Sequence, residues 1–243
     1  MAEEDIIKHT KKIYKAWNSK EHSSWQKLKE FFIEIFIIVF AVTISIWLHN
    51  WSEHKKEQKD VKVFLLGLKE DLQNDIKEMQ ADSVIYVKTL KAFSYITKIK
   101  YGEILNTDSL KVFQNYIFNT TGLIPNNGRF EGFKSSGKIG LIENNVLQNE
   151  ILDLYQENIP NLITSTNAYT ERKKELFKYI DQKRKRNPDN TDNLNIILSG
   201  DTGQNISAGL VFTGEILGLY GKCIGNSKNI IERINLMYPG NNK

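Results

Sequence analysis

The sequence predicts an all-α protein: a single N-terminal transmembrane helix continuing into a long helix and an antiparallel helical bundle. Three observations carry this prediction. Residues 31–51, FFIEIFIIVFAVTISIWLHNW, form one run long and apolar enough to cross a bilayer. Beyond it, apolar residues recur at intervals of three and four, the period of a helix. No stretch alternates cleanly between apolar and polar residues as a half-buried strand would. The predicted organisation is a basic juxtamembrane segment over 1–30, a transmembrane helix over 31–51 and a helical extracytoplasmic domain over 52–243.

Composition narrows the functions. The 33 Lys and Arg are scattered among 29 Asp and Glu, leaving a net charge of +4, so no nucleic-acid partner is expected. Cys223 is the only cysteine, which excludes an internal disulfide framework and a thiolate metal cage. The four histidines, His9, His22, His49 and His54, all precede residue 55. The larger part of the chain therefore cannot build a Ser-His-Asp triad or a histidine metal site. No catalytic, cofactor-binding or metal-ligating residue is predicted.

In the first segment, Ile6, Ile13 and Trp17 fall on one helical face, with Lys8, Lys11, Lys12 and Lys15 elsewhere. That pattern suits a short helix on an anionic membrane surface, and equally a frayed polar tail. The span follows. Ile35 to Leu48 carries no charge, and with its aromatic flanks the segment is about 21 residues, roughly 31 Å as a helix. Trp47 and Trp51 mark its far end, where amphipathic rings favour the membrane interface. Thirty residues precede the run, and HNWSEH offers no small-x-small cleavage site, so an uncleaved anchor is expected. Seven lysines in residues 1–30 stand against Lys55, Lys56, Lys59 and Lys62 just after the span, which favours a cytoplasmic amino end. Glu34 is the odd residue in the span, a carboxylate and a candidate for snorkelling, self-association or proton coupling.

From Val61 the positions Phe64, Leu65, Leu68, Leu72, Ile76 and Met79, then Tyr86, Leu90, Phe93 and Ile96, predict a long stalk-like helix ending near Tyr101-Gly102. NTDSLKVFQNYIF starts the next helix, with Thr107 or Asp108 as N-cap. TTGLIPNNG breaks it. Helix resumes around Arg129 and again from about Glu143, where Val146, Leu147, Ile151, Leu154 and Tyr155 form an apolar stripe that Pro160 should kink or stop. A charged helix runs to KRKR, NPDNTDN is a loop, and a last long helix covers roughly Ser207 to Met237.

Three motifs are decoys. EGFKSSGKIGL contains G-x-x-x-x-G-K, but Ile139 replaces the magnesium-holding hydroxyl of a phosphate-binding loop and no buried strand precedes it. Asp201-Thr202-Gly203 is a single aspartic-protease triplet without a β framework; a turn explains it better. DNTDNLN lacks the glycine and terminal glutamate of a calcium loop. The glycines suggest packing instead. Gly128, Gly132, Ser136 and Gly140 recur every four residues, and Gly214, Gly218, Gly221 and Gly225 form a second stripe opposite Phe212, Ile216, Leu219, Cys223 and Ile230. An interior glycine costs about 1 kcal/mol relative to alanine, so tight helix crossings are expected along these stripes, with the last helix central to the bundle.

Two stretches carry a resemblance. In residues 31–76, Glu34 and Ile35 before the apolar run, Asn50-Trp51 after it, and Lys69 to Leu72 resemble the amino-terminal signature of an uncharacterised, single-pass membrane-anchored family found mainly in Bacteroidota. FKSSGKIGLIENNVLQNEILDLY looks like its second signature through Ser135, Ser136, Gly137, Leu141, Ile142, Asn144, Leu147 and Tyr155, with Ile139 where leucine is usual. The resemblance implies a mostly helical bacterial membrane protein and no activity. The expected function is a non-enzymatic, membrane-anchored interaction or scaffold protein of the cell envelope, in the inner membrane with its carboxy-terminal domain periplasmic. Its partners would be the lipid bilayer and either itself or another envelope protein. The alternative is a ligand-sensing helical bundle that signals through a partner.

Overall fold

The computed structural model describes residues 24–189 and 191–240, together with Ile7, Lys11 and Tyr14. The pattern at Ile6, Ile13 and Trp17 lies outside the described residues. The helices are α1 (Ser24–Thr97), α2 (Thr107–Phe118), α3 (Gly128–Ser135), α4 (Asn145–Asp153), α5 (Ile159–Lys183), α6 (Leu194–Ser199), α7 (Asp201–Gly209) and α8 (Gly214–Met237). A 3₁₀ turn occupies Lys138–Leu141, and a π turn, Leu154–Asn158, joins α4 to α5. Among the described residues there is no strand, only an isolated bridge between Arg186 and Asp192. The chain divides into two units, Met1–Asp60 and Val61–Lys243.

In the first unit the apolar run of the helix is unburied. Two of its hydroxyls bond back along the backbone: Thr43 Oγ1 donates to Val39 O at 2.7 Å and Ser45 Oγ to Ala41 O at 2.9 Å. Such bonds to the preceding turn satisfy these two hydroxyls within the helix.

The second unit is a bundle organised by heptad seams. On α1 the buried positions 61, 65, 68, 72, 75, 79, 82, 86, 89, 93 and 96 alternate steps of four and three. Ile159, Leu162, Thr166, Tyr169, Lys173, Leu176 and Ile180 do the same on α5, as do Ile216, Tyr220, Cys223, Ser227, Ile230 and Ile234 on α8. This is the seam of helices that pack at shallow angles, knobs into holes. Lys62 lies 5.3 Å from the Tyr238 ring and Asp82 accepts from Tyr220, so α8 runs antiparallel to α1. Arg233–Glu150 and Lys222–Glu157 set α8 antiparallel to α4 and the π turn in the same way. Tyr86 meets Tyr169 and Phe93 meets Lys173, so α1 and α5 run in the same direction.

Several expectations are corrected. From Val61 onward the long helix is a core member, not a stalk: Leu65, Leu68, Leu72, Phe93 and Ile96 are 0% exposed. The N-cap of α2 is Asn106, whose Oδ1 accepts from Asp108 N and Ser109 N. Pro160 neither stops nor separates its helix. The π turn precedes it, and proline, with no N–H, suits the first turn of α5. The last helix begins at Gly214, not Ser207, because residues 210–213 interrupt it. Asp201-Thr202-Gly203 is the first turn of α7, not a loop.

Candidate functional site

The sequence singled out a membrane segment and two glycine stripes, and the structure treats them differently. The apolar segment of α1 is the one described helix long and apolar enough to cross a membrane, and none of its most apolar 18-residue window is buried. Trp47 and Trp51 are exposed, and Lys55 Nζ sits 4.9 Å above the Trp51 ring. Glu34 is half-buried.

The glycine expectation is corrected within the chain. Gly128 to Gly140 do not share a helix: α3 ends at Ser135 and Gly137 adopts φ +73°, a left-handed conformation that a side chain disfavours. The EGFKSSGKIGL segment is thus helix, glycine turn and 3₁₀ turn. Gly132, Ser136 and Gly140 are exposed, and on α8 so are Gly214, Gly218 and Gly221, with Gly225 half-buried. A Cβ added at any of these six glycines would meet nothing within 4 Å. No close crossing inside the chain offsets them, and α8 buries only its apolar face. Replacing Gly218, Gly221 and Gly225 together by alanine should therefore stabilise the bundle by roughly 3 kcal/mol, the summed helix propensity. For a domain of this size that raises Tm by roughly 6–12 °C. Calorimetry of the full-length chain checks this; a lower Tm would contradict it.

The close-packed glycines are others. At Gly203 a Cβ would overlap the Ile197 carbonyl oxygen and stand 2.9 Å from Leu198 Cα, so α7 abuts the backbone of α6. At Gly67 it would overlap the Arg129 guanidinium, which lies across the bare α1 backbone and reaches Asp71 at 2.9 Å.

That ion pair opens a feature the sequence reading missed. Asp71, Asp75, Glu78 and Asp82 project at intervals of four, three and four from one side of α1. Asp75, Glu78 and Asp82 fasten the irregular connector between α2 and α3, and Asp71 holds the first turn of α3. Asp75 Oδ1 accepts from Asn126 N at 3.0 Å and Asn126 Nδ2 at 2.6 Å, Glu78 Oε1 accepts from Ile124 N at 2.9 Å, and Asp82 accepts from Thr121 Oγ1. A connector without regular structure cannot satisfy its own backbone donors, and these carboxylates do so. Burial pushes the Asp75 carboxyl up from its ordinary value; the two bonds from Asn126 oppose this, and Glu78 and Asp71 add to it.

Three of the α1 seam positions are polar, seven residues apart: Asp75, Asp82 and Thr89. Asp82 Oδ2 accepts from Tyr220 OH at 2.9 Å, in a cluster where Tyr86 approaches the rings of Tyr169 and Tyr220. Tyr86 and Tyr169 donate to the Thr121 and Leu210 carbonyls. Burial drives all three phenols up, the Tyr220 one helped by Asp82. At the Thr89 level lies Lys173, 1% exposed, donating to Tyr116 O at 2.8 Å and to Asn119 O. Those carbonyls close the last turn of α2, where a cation opposes the negative end of the helix dipole. The cavity beside it, about 10 Å³, has room for roughly one water and for no metabolite. Among the described residues no group of three His, Cys, Asp or Glu is placed to hold a metal ion.

Burial lowers the Lys173 ammonium to about 8. The unfolded chain keeps its proton to near 10.4, so between these values it binds more protons than the fold. Stability attributable to Lys173 therefore rises as pH climbs through that window. The raised phenols act oppositely above about 10, and the Cys223 thiol, pushed by burial to about 11, does so from about 9 upward. In urea titrations at pH 7, 8, 9 and 10 the stability of the wild type relative to Lys173→Met should rise with pH. Parallel profiles would contradict the assignment.

An apolar, unburied helix and a heptad bundle with polar layers define an all-α protein. The chain belongs to DUF6090, a family of unknown function, which matches residues 34–185. The match begins at Glu34 and takes in the rest of the apolar segment, the carboxylate ladder and both signature stretches. No curated protein and no solved structure matches the chain. The signature residues have structural duties here: Asp71 holds Arg129, Gly137 makes the turn, Asn144 caps α4, and Tyr155 stacks on Phe130 at 4.4 Å.

Proposed function

We propose that this protein is a non-enzymatic, single-pass anchored module of the bacterial cell envelope that holds its helical bundle at the inner membrane for interaction with a protein partner. One observation carries the reading: the most apolar window of α1 is wholly unburied, whereas a core helix of a soluble protein would cover it. Trp47 and Trp51 at its end and the hydroxyls bonded back to Val39 and Ala41 suit a bilayer. Because the family match runs from Glu34 without a break into the bundle, it supports a retained anchor rather than a cleaved leader. The partner is a second copy or another envelope protein. The lysine asymmetry supports a cytoplasmic amino end and a periplasmic bundle.

Ligand sensing inside the bundle is the weaker reading, since the cavity at Lys173 is water-sized. Carboxy-terminal reporter fusions test the topology. Alkaline phosphatase fused after Lys243 should be active and a cytoplasm-dependent fluorescent reporter dark; the reverse pattern would overturn the orientation. Crosslinking in intact membranes should give a discrete adduct larger than the monomer, and monomer alone would overturn the assembly.

A further inference from the structure

An open groove of about 660 Å³ lies between the segment following α1 and the pair α6–α7. Its walls are braced. Leu105 N donates to Ser199 Oγ at 2.8 Å, and Asn195 Nδ2 reaches Leu105 O at 3.4 Å, tying the segment to α6. The fit at Gly203 fixes α7 against α6. Gly102, at φ +82°, turns the chain so that Tyr101 stands 96% exposed on one wall. Ile104 and Ile196, both more than half exposed, continue the apolar surface. The polar lining comes from Glu103, Ser199, Asp201, Gln204 and Asn205.

These surfaces match one ligand chemistry. A pyranose ring has an apolar C–H face and a rim of hydroxyls that both donate and accept. An exposed phenol ring and two aliphatic side chains provide plates for the face. Two carboxylates and two planar amides provide acceptors and donors for the rim. Both charged groups in the lining, Glu103 and Asp201, are anionic, which opposes a phosphate-bearing or nucleic-acid ligand. The volume lies within the range of small-ligand sites. We propose that this groove binds a linear oligosaccharide, with Tyr101 stacking on a sugar ring and Gln204, Asn205 and Asp201 hydrogen-bonding its hydroxyl or acetamido groups.

The test uses the full-length protein in a detergent without a sugar head group. Chitotetraose and cellotetraose serve as probes, read by saturation-transfer NMR and calorimetric titration. At least one should bind at millimolar concentration or tighter, and Tyr101→Ala should weaken it about tenfold or more, the size of one lost stacking contact. Asn205→Ala should weaken it less. Both side chains are exposed, so Tm should stay unchanged in either variant. Binding of neither probe, or binding indifferent to Tyr101→Ala, would overturn the proposal. So would binding of a tetralysine peptide in place of the saccharides, which would assign the acidic lining to a cationic partner.

Discussion

Arginine at Phe40 and Ile44 is expected to abolish stable insertion of the chain into a bilayer. Both positions lie near the middle of the uncharged run Ile35–Leu48, and both are exposed. A centrally placed arginine costs about 2.5–3.5 kcal/mol for insertion, so two cost roughly 5–7 kcal/mol. Neither can pair locally, since Glu34 is the one carboxylate in the segment and stands six residues before Phe40. In translation with added membrane vesicles, the Phe40→Arg/Ile44→Arg chain should remain in the aqueous phase while the wild type inserts. Equal insertion of both would mean that the run does not sit in hydrocarbon.

Gly203→Ala is expected to be the most damaging single methyl in the bundle. The added Cβ meets backbone, not the far end of a flexible side chain, so α7 must move off α6 as a whole. Overpacking of a core costs typically 1–3 kcal/mol, and rigid neighbours place this case at about 3 kcal/mol or above. The helix propensity that alanine gains, about 1 kcal/mol, does not offset it. Gly67→Ala is a useful contrast, because its obstacle is the partly exposed Arg129 side chain, which can swing away. Chemical denaturation should show a large loss for Gly203→Ala and a small one for Gly67→Ala. Equal losses would contradict the packing described here.

Much of the architecture was legible. The helical period from Val61 to Ile96, the apolar faces of α4 and α8, and the unbroken apolar run all follow from side-chain spacing, which local geometry converts directly into a face, whereas α5 read only as a charged helix. What escaped depends on neighbours distant in sequence. A glycine stripe reads alike whether it meets another helix or solvent, because glycine has no side chain to declare its preference. Gly218 was expected at a crossing and Gly203 in a turn, although only Gly203 touches backbone. The carboxylate ladder was half legible. Asp71, Asp75, Glu78 and Asp82 follow the heptad step, but nothing local says that their partners are Arg129, Asn126, Ile124 and Thr121. Lys173 occupies an apolar seam position, and that misfit with its neighbours Tyr169 and Leu176 was the available signal. The groove at Tyr101 escaped because its walls lie about a hundred residues apart in the chain.

The carboxylates of α1 acquire a role from these contacts. They hold the connector that carries the chain from α2 to α3, and Asp71 pairs with Arg129 in the first turn of α3. Interaction surfaces are then left to the exposed faces, since the interior is committed to polar layers and ring stacking.

The most direct test is extraction of membranes from cells producing the full-length chain with alkaline carbonate, followed by sedimentation. A helix embedded through Ile35–Leu48 keeps the protein in the pellet until detergent is added. Release into the carbonate supernatant without detergent would contradict membrane anchoring.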